Sequence, residues 1–239
     1  MVSKTAIDLL VKRHQTDKVT VVREYFQHLF LSYFYQEAEA DKIYFKGGTA
    51  LRIIYQSPRF SEDLDFSANL STITPIENAI VATLLHLNQE GLTTEVEESK
   101  PTSGGYIGIV RLNGYDLTIP IHLEVSLRRV KKGGETVIIA NDYIPAYSVI
   151  RLAEKELIGE KIAALLSRQK PRDFYDFYFL LRNRLIPEKN REMFEAVLKA
   201  LKKSSIRFDA ELKAFLPKSH QLIIRDFKKT LENEIKRYI

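Results

Sequence analysis

Asp63 and Asp65 stand two residues apart in Arg59-Phe60-Ser61-Glu62-Asp63-Leu64-Asp65-Phe66. Side chains alternate faces along a strand, so the two carboxylates would share one face while Leu64 and Phe66 share the other. Two carboxylates held side by side repel, and a shared divalent cation relieves that repulsion. This is how a protein holds Mg2+ for phosphoryl or nucleotidyl transfer. A third candidate lies in Ile119-Pro120-Ile121-His122-Leu123-Glu124-Val125-Ser126-Leu127. The odd positions there are apolar, and His122, Glu124 and Ser126 face the other way. Alone, Glu124 reads as a solvent-facing strand residue. If its strand lies beside the aspartate strand, three carboxylates come together, enough for two Mg2+ ions.

Upstream stands Lys46-Gly47-Gly48-Thr49-Ala50-Leu51. Glycines lack a Cβ, so backbone N–H groups there can approach a phosphate, and a helix starting at Thr49 adds a favourable dipole. Most Gly-Gly pairs merely mark turns, and no Gly-Lys-Ser/Thr follows, so this is not a P-loop. Further on, Leu157, Lys161 and Leu165 are spaced by four, so a lysine interrupts an apolar helical stripe. It must either snorkel out or meet an anion, and a triphosphate is a suitable one. Asp173 and Asp176 follow Arg172 and share a face at a helix start. Asp173 there can simply cap the helix. A buried Asp173 or Asp176 paired with Lys161 or Arg172 would instead fix a phosphate-binding group.

The elements that must position these residues follow from apolar spacing. Helices are expected over 4–15 and 19–38, the second with Val22, Tyr25, Phe26, Leu29, Phe30, Tyr33 and Phe34 as a core stripe. Ile43-Tyr44-Phe45 reads as a strand, Thr49 to Gln56 as a helix ended by Ser57-Pro58, and Ile76 to Glu90 as a helix stopping at Gly91. Strands are expected over Thr93 to Glu98, Tyr106 to Leu112 and Tyr115 to Leu127, with Asn113-Gly114 as a hairpin turn. Gly133-Gly134 gives a second hairpin signal before Thr136-Val137-Ile138-Ile139. After Pro145 the pattern reads as helical, over 151–168, 173–183, 188–202 and 218–237. The expectation is an α+β chain: a mixed α/β domain over 1–148 and a helical domain over 149–239.

Hydrophobic content of 45% and charged content of 28% suit a globular chain. No apolar run approaches the roughly 18 residues of a membrane span, and Met1-Val2-Ser3-Lys4-Thr5 lacks a signal-peptide core. The absence of cysteine excludes disulfides, thiolate metal sites and a cysteine nucleophile, and fits a reducing cytoplasm. Residues 151–239 carry 21 Lys and Arg against 13 Asp and Glu, whereas 1–150 carry 15 against 18. An acidic half beside a basic half suits a metal-binding domain next to one that holds a polyanion; solvated basic helix faces would give the same excess.

Taken together, the Lys46–Leu51 and Arg59–Phe66 motifs, the Glu124 strand, Glu160-Lys161-Ile162-Ala163-Ala164-Leu165 and Arg172-Asp173-Phe174-Tyr175-Asp176 resemble the AbiEii/AbiGii toxin family in order and spacing. The resemblance runs from about residue 40 to 185. It implies a DNA polymerase β-like nucleotidyltransferase domain with a mixed β-sheet, followed by a C-terminal helical bundle. It also implies a toxin of a type IV toxin–antitoxin or phage-exclusion system, with a cognate antitoxin. The related MenT toxins transfer nucleotides from NTPs to the 3′ end of tRNA and so block translation. By this resemblance Asp63, Asp65 and Glu124 hold Mg2+, and Gly47, Gly48, Thr49, Arg59 and Ser61 bind nucleotide. Lys161 is the triphosphate lysine, and Asp173 or Asp176 is the late acidic residue. Thr49 stands where many nucleotidyltransferases have serine, but Gly-Gly-Thr matches this family.

Other chemistries stay open at this point. The same metal site serves transfer to, or phosphorylation of, a protein hydroxyl, and a non-catalytic nucleotide- or RNA-binding module is a further option. Arg23 and His28 have the Arg-x4-His spacing of some helical ribonucleases. Phe174, Tyr175, Phe177, Tyr178 and Phe179 have faces on which bases can stack, although their density suits helix packing better.

Overall fold

The structure, a computed structural model, describes residues 1–127, 133–186 and 190–239. It comprises two compact units: Met1–Gln56 with Phe60–Ala153, and Ser57–Arg59 with Glu154–Ile239.

The first unit is built on a seven-stranded mixed sheet. Its strands are β1 (Ile43–Lys46), β2 (Leu64–Ala68), β3 (Thr93–Thr102), β4 (Gly105–Gly114), β5 (Leu117–Ser126), β6 (Glu135–Ile139) and β7 (Tyr147–Arg151). Their spatial order is β3-β4-β5-β2-β1-β7-β6. β2 runs antiparallel to β1 and parallel to β5, and β1 runs parallel to β7. The helices of this unit are α1 (Lys4–His14), α2 (Lys18–Phe34), α3 (Gly47–Tyr55) and α4 (Thr74–Gln89). Asp17 caps α2, its carboxylate accepting from the Thr20 N–H at 2.8 Å. Pro75 opens α4, as its fixed φ and missing donor favour.

The aromatic stripe of α2 forms the core. Phe26, Phe30 and Phe34 are buried, and Phe34 meets Phe66 of β2 with ring centroids 5.4 Å apart. Phe66 in turn contacts Phe45 of β1 at 5.6 Å. Thus the apolar side of the Leu64/Phe66 alternation is seated on α2.

Several expected boundaries shift. β7 occupies residues read as the approach to a helix from 151; the helix begins at Glu154. Val149 is fully buried, and Phe45 accepts a backbone bond from Leu152, so a seventh strand completes the sheet beside β1. The hairpin turns at Tyr115-Asp116, not at Asn113-Gly114. Both turn residues adopt left-handed φ (58° and 63°), and Asn113 and Gly114 pair instead with Thr118 and Leu117. Burial of Tyr115 against Tyr25 and Phe26, and its hydroxyl bond to the Val2 carbonyl, outweigh the turn preference of Asn-Gly. Because the displacement is two residues, the faces of both strands are preserved.

Gly133-Gly134 is not a hairpin turn joining neighbours, since β5 and β6 are far apart in the sheet. Gly134 instead admits Ile150 and Tyr44, whose side chains a Cβ would overlap. β3 continues past Glu98 to Thr102. It is the outermost strand, so Pro101 is tolerated there. The second helix stops at Phe34, not 38, and a 3-10 turn, Ala38–Lys42, follows.

The second unit is helical: α5 (Glu154–Arg168), α6 (Pro171–Arg182), α7 (Arg191–Lys203), α8 (Phe208–Leu212), α9 (Gln221–Arg225) and α10 (Phe227–Lys236). The expected start of its third helix, 188–189, lies outside the described residues. The expected single helix over 218–237 is a 3-10 turn (Lys218–His220) and two helices broken at Asp226. The aromatics of α6 are packing residues: Phe174 meets Phe208, Phe177 meets Phe194, and Tyr175 and Tyr178 both meet Phe227.

Phe66 is 1% exposed and joins α2 to the sheet. Phe66→Ala should therefore lower the unfolding free energy by about 3–5 kcal/mol, read as a drop in the urea midpoint at unchanged slope.

Candidate active site

Three of the candidate carboxylates belong to the sheet unit. β2 begins at Leu64, so Asp63 lies one residue before the strand rather than on it. The alternation nevertheless continues through it: Leu64 and Phe66 are buried while Asp63 and Asp65 are partly exposed. Parallel pairing sets Asp65 opposite Glu124. On β5, Ile121, Leu123 and Val125 are buried, and His122 and Glu124 are exposed. The sheet thus brings Asp65 and Glu124 to one rung, with Asp63 two residues before Asp65. Antiparallel pairing sets Lys46 on the other side of Asp65.

The donor set is hard oxygen on one sheet face, which suits Mg2+. Among the described residues, no three His, Asp or Glu side chains are already gathered as a metal cage. The backbone around the set is nonetheless tightly shaped. Gly47 has φ +84°, and a Cβ there would overlap the Asp65 carboxylate. Glycine is therefore required both for its backbone conformation and for the close approach of Asp65. The glycine pair forms the first turn of α3 rather than preceding it, so the helix N–H groups start at Gly47. No acidic residue occupies that turn and no side chain caps it. Such an N-terminus favours an anion.

Thr49 is fully buried, and its hydroxyl donates to the Asp63 carbonyl, so it shapes the site from behind. Gln27 of α2 is not among the residues the sequence singles out. Its side-chain amide donates to the carbonyls of Ser61 (3.1 Å) and Glu62 (2.9 Å). Arg23 pairs with Glu62 at 2.9 Å, and Arg52 lies over the Phe60 ring at 4.3 Å while forking onto Glu24. The signal for Gln27 was a polar residue inside an apolar helical stripe.

Arg23 and His28 do not form a ribonuclease site. Arg23 is bound to Glu62, and His28 is buried with Nδ1 2.8 Å from the Tyr147 hydroxyl. Burial above all, with the Arg52 and His14 charges, pushes the His28 ring from its ordinary 6.5 down to about 3.

The remaining candidates belong to the helical unit. Arg59 is 4% exposed and grips Asp176 bidentately, Nε at 2.8 Å and a terminal nitrogen at 3.0 Å. Lys161 Nζ donates to the same carboxylate at 2.9 Å. Burial pulls the Asp176 carboxyl up, but the charges and hydrogen bonds of Arg59 and Lys161 carry it below the usual range. For Arg59, burial acts downward and Asp176 more than reverses it. Asp173 serves elsewhere: it forks onto Arg168 at 2.9 and 2.7 Å and accepts the Lys170 N–H at the start of α6. Neither aspartate is paired with Arg172 in a hydrogen bond or ion pair given by this geometry. The lysine in the α5 stripe therefore meets an anion of its own chain.

A mixed sheet of this order, carrying acids on neighbouring parallel strands and followed by helices, is the architecture of a nucleotidyltransferase enzyme. The comparison with protein families is more particular: the chain belongs to the nucleotidyl transferase AbiEii toxin family, type IV toxin–antitoxin system, which matches residues 29–237. Among solved structures, MenT4, the nucleotidyltransferase toxin Rv2826c from Mycobacterium tuberculosis H37Rv, is similar with a TM-score of 0.66 and 15% identity. That match covers 100% of this chain and 93% of MenT4. JHP933 from Helicobacter pylori is similar with a TM-score of 0.58 and 18% identity, over 93% of this chain and 95% of that one. At these identities the likeness is one of fold. No curated protein sequence matches the chain. Among the described residues, no helix is long and apolar enough to cross a membrane.

The His28 shift has a measurable consequence. The unfolded chain takes up this proton near pH ~6.5, the folded chain only near 3. Stability present above 6.5 is therefore lost progressively as the pH falls toward 3. His28→Gln should flatten this dependence, most visibly in urea midpoints compared at pH 7 and pH 5.

Proposed function

We propose that this toxin transfers a nucleoside monophosphate from an NTP to the 3′ hydroxyl of an RNA acceptor, the 3′ end of tRNA, with release of pyrophosphate, and thereby blocks translation. The observation that carries the reading is the β2–β5 register, which sets Asp65 opposite Glu124 with Asp63 just upstream beside the glycine-opened helix. Asp63, Asp65 and Glu124 would hold Mg2+, which when bound supplies charge neutralisation at the reacting phosphate and lowers the pKa of an attacking hydroxyl. The chain's own part is to fix those carboxylates and to present the α3 N–H groups to phosphate oxygens. A carboxylate of the set accepts the proton of the attacking hydroxyl.

In this reading Lys161 is the triphosphate lysine, oriented by Asp176, and Arg59 acts on it through the same carboxylate. Asp176 rather than Asp173 is then the late acidic residue, because Asp173 is spent on Arg168 and the start of α6. The basic residues of the helical unit supply phosphate contacts for the RNA. A cleft of about 340 Å3 there is lined by Arg207, Arg225, Lys228 and Lys229 together with Asp209 and Asp226. RNA binding should weaken as salt rises. A cognate antitoxin opposes the activity, and phage exclusion is the setting that fits such a pair.

The test is induction of the wild type against Asp63→Ala, with tRNA 3′ ends sequenced in both. Wild type should arrest growth and extend tRNA ends; Asp63→Ala should do neither. Purified enzyme should move label from the α-position of an NTP into RNA. Toxicity that survives Asp63→Ala would sink the catalytic reading. Label moving from the γ-position, or into protein bands, would establish a different acceptor or reaction. Lys161→Ala should raise KM for the NTP by more than it lowers kcat, measured by initial rates.

A further inference from the structure

We infer that Gln27 is a positioning residue for Asp63, and that through it α2 sets how tightly the acidic site binds a divalent cation; this rests on the proposed role of Asp63 as a metal ligand. The last rung shared by β1 and β2 is Lys46 with Asp65, and the first shared by β2 and β5 is Leu64 with Leu123. Asp63 thus lies just beyond the paired residues of both ladders. Side chains reach this segment as well. The carbonyls of Ser61, Glu62 and Asp63 each accept a side-chain hydrogen bond, two from Gln27 and one from Thr49.

Gln27 is well suited to that task. It is 1% exposed on the face of a seventeen-residue helix, between Phe26 and His28, which are themselves buried. Its two amide hydrogens meet two consecutive carbonyl oxygens. Only the NH2 end of the amide can face two acceptors, so the orientation of the group is determined. Arg23, one helical turn earlier, grips the side chain of Glu62 in the same segment. The helix therefore holds both the backbone and a side chain of the residues leading into Asp63. Loss of the amide would leave two carbonyl acceptors without these bonds and release the stretch that leads into Asp63. Groups that orient metal ligands from behind typically change metal affinity by ~10–100-fold when removed.

The experiment is calorimetric titration of Mn2+ into the nucleotide-free full chain, for wild type, Gln27→Leu and Asp63→Asn. Circular dichroism and metal-free thermal unfolding serve as controls of fold. Gln27→Leu should weaken Mn2+ binding by ~10–100-fold. The Mg2+ concentration for half-maximal transfer should rise in parallel, with kcat recovering to within about threefold at saturating Mg2+. Folded Gln27→Leu that binds Mn2+ as wild type does, or that loses kcat equally at every Mg2+ concentration, would overturn the proposal. Asp63→Asn should lose Mn2+ binding; if it binds as wild type does, the assignment of Asp63 fails instead. Should Gln27→Leu not fold, Gln27→Asn, which keeps the amide but is one methylene short, decides by the same criteria.

Discussion

Parallel pairing of β2 with β5 places two carboxylates, Asp65 and Glu124, on neighbouring strands at one rung. Strands lie about 4.8 Å apart, so these groups sit in a repulsive arrangement. The opposite face decides the outcome. Leu64, Phe66, Leu123 and Val125 are all buried there. Each contributes about 1.5–3 kcal/mol on burial, whereas a like-charge cross-strand pair costs up to about 1 kcal/mol. A slip of one residue would expose all four. The register is therefore set by the core, and the acids are carried into proximity by residues that never touch them.

Where the sheet ladder stops, a different kind of support takes over. The backbone from Ser61 to Asp63 precedes the first paired residue of β2, and its carbonyls accept side-chain hydrogen bonds. Gln27 and Thr49 supply those bonds from two different helices, α2 and α3. Thr49 has its hydroxyl turned inward to the Asp63 carbonyl and is fully buried, so its methyl group contributes to packing at the same time. The residue following the glycine pair thus ties the start of α3 to the segment that bears Asp63. Gly47 completes the arrangement by leaving room for the Asp65 carboxylate. Shape on one side and hydrogen bonds on the other confine both aspartates.

Much of this was legible in the chain itself, and the reasons for the rest are physical. α2 declared itself because seven apolar residues recur at helical spacing, and β5 because its alternation is strict over Ile119 to Val125. Glu124 could be named as a candidate because alternation fixes a face. That it lies opposite Asp65 could not be read, because pairing between residues far apart in sequence leaves no local trace. β7 was missed because Tyr147-Ser148-Val149-Ile150-Arg151 is short, and Pro145 just before it reads as readily as the approach to a helix. The hairpin turn was misplaced because Asn-Gly is the stronger local signal, while burial of Tyr115 is a tertiary one. Gln27 escaped notice since a polar residue within a core stripe looks like an interruption until its two acceptors are seen.

The helical unit shows how two aspartates three residues apart come to differ. Both are 1% exposed, so each buried carboxylate calls for hydrogen-bonding or cationic partners. Asp173 finds it in Arg168, five residues earlier on the neighbouring helix, and in the Lys170 backbone N–H, and so belongs to the junction of α5 and α6. Asp176 finds it in Arg59, contributed by a three-residue segment far away in the chain, and in Lys161 of α5. Burying such an ion cluster is costly, and apolar side chains of similar volume would commonly be as stable or more so. The arrangement does accomplish something an apolar cluster cannot: it gives the lysine between Leu157 and Leu165 a fixed anionic partner. The proposed triphosphate role goes to Lys161, with Arg59 and Asp176 holding it in place.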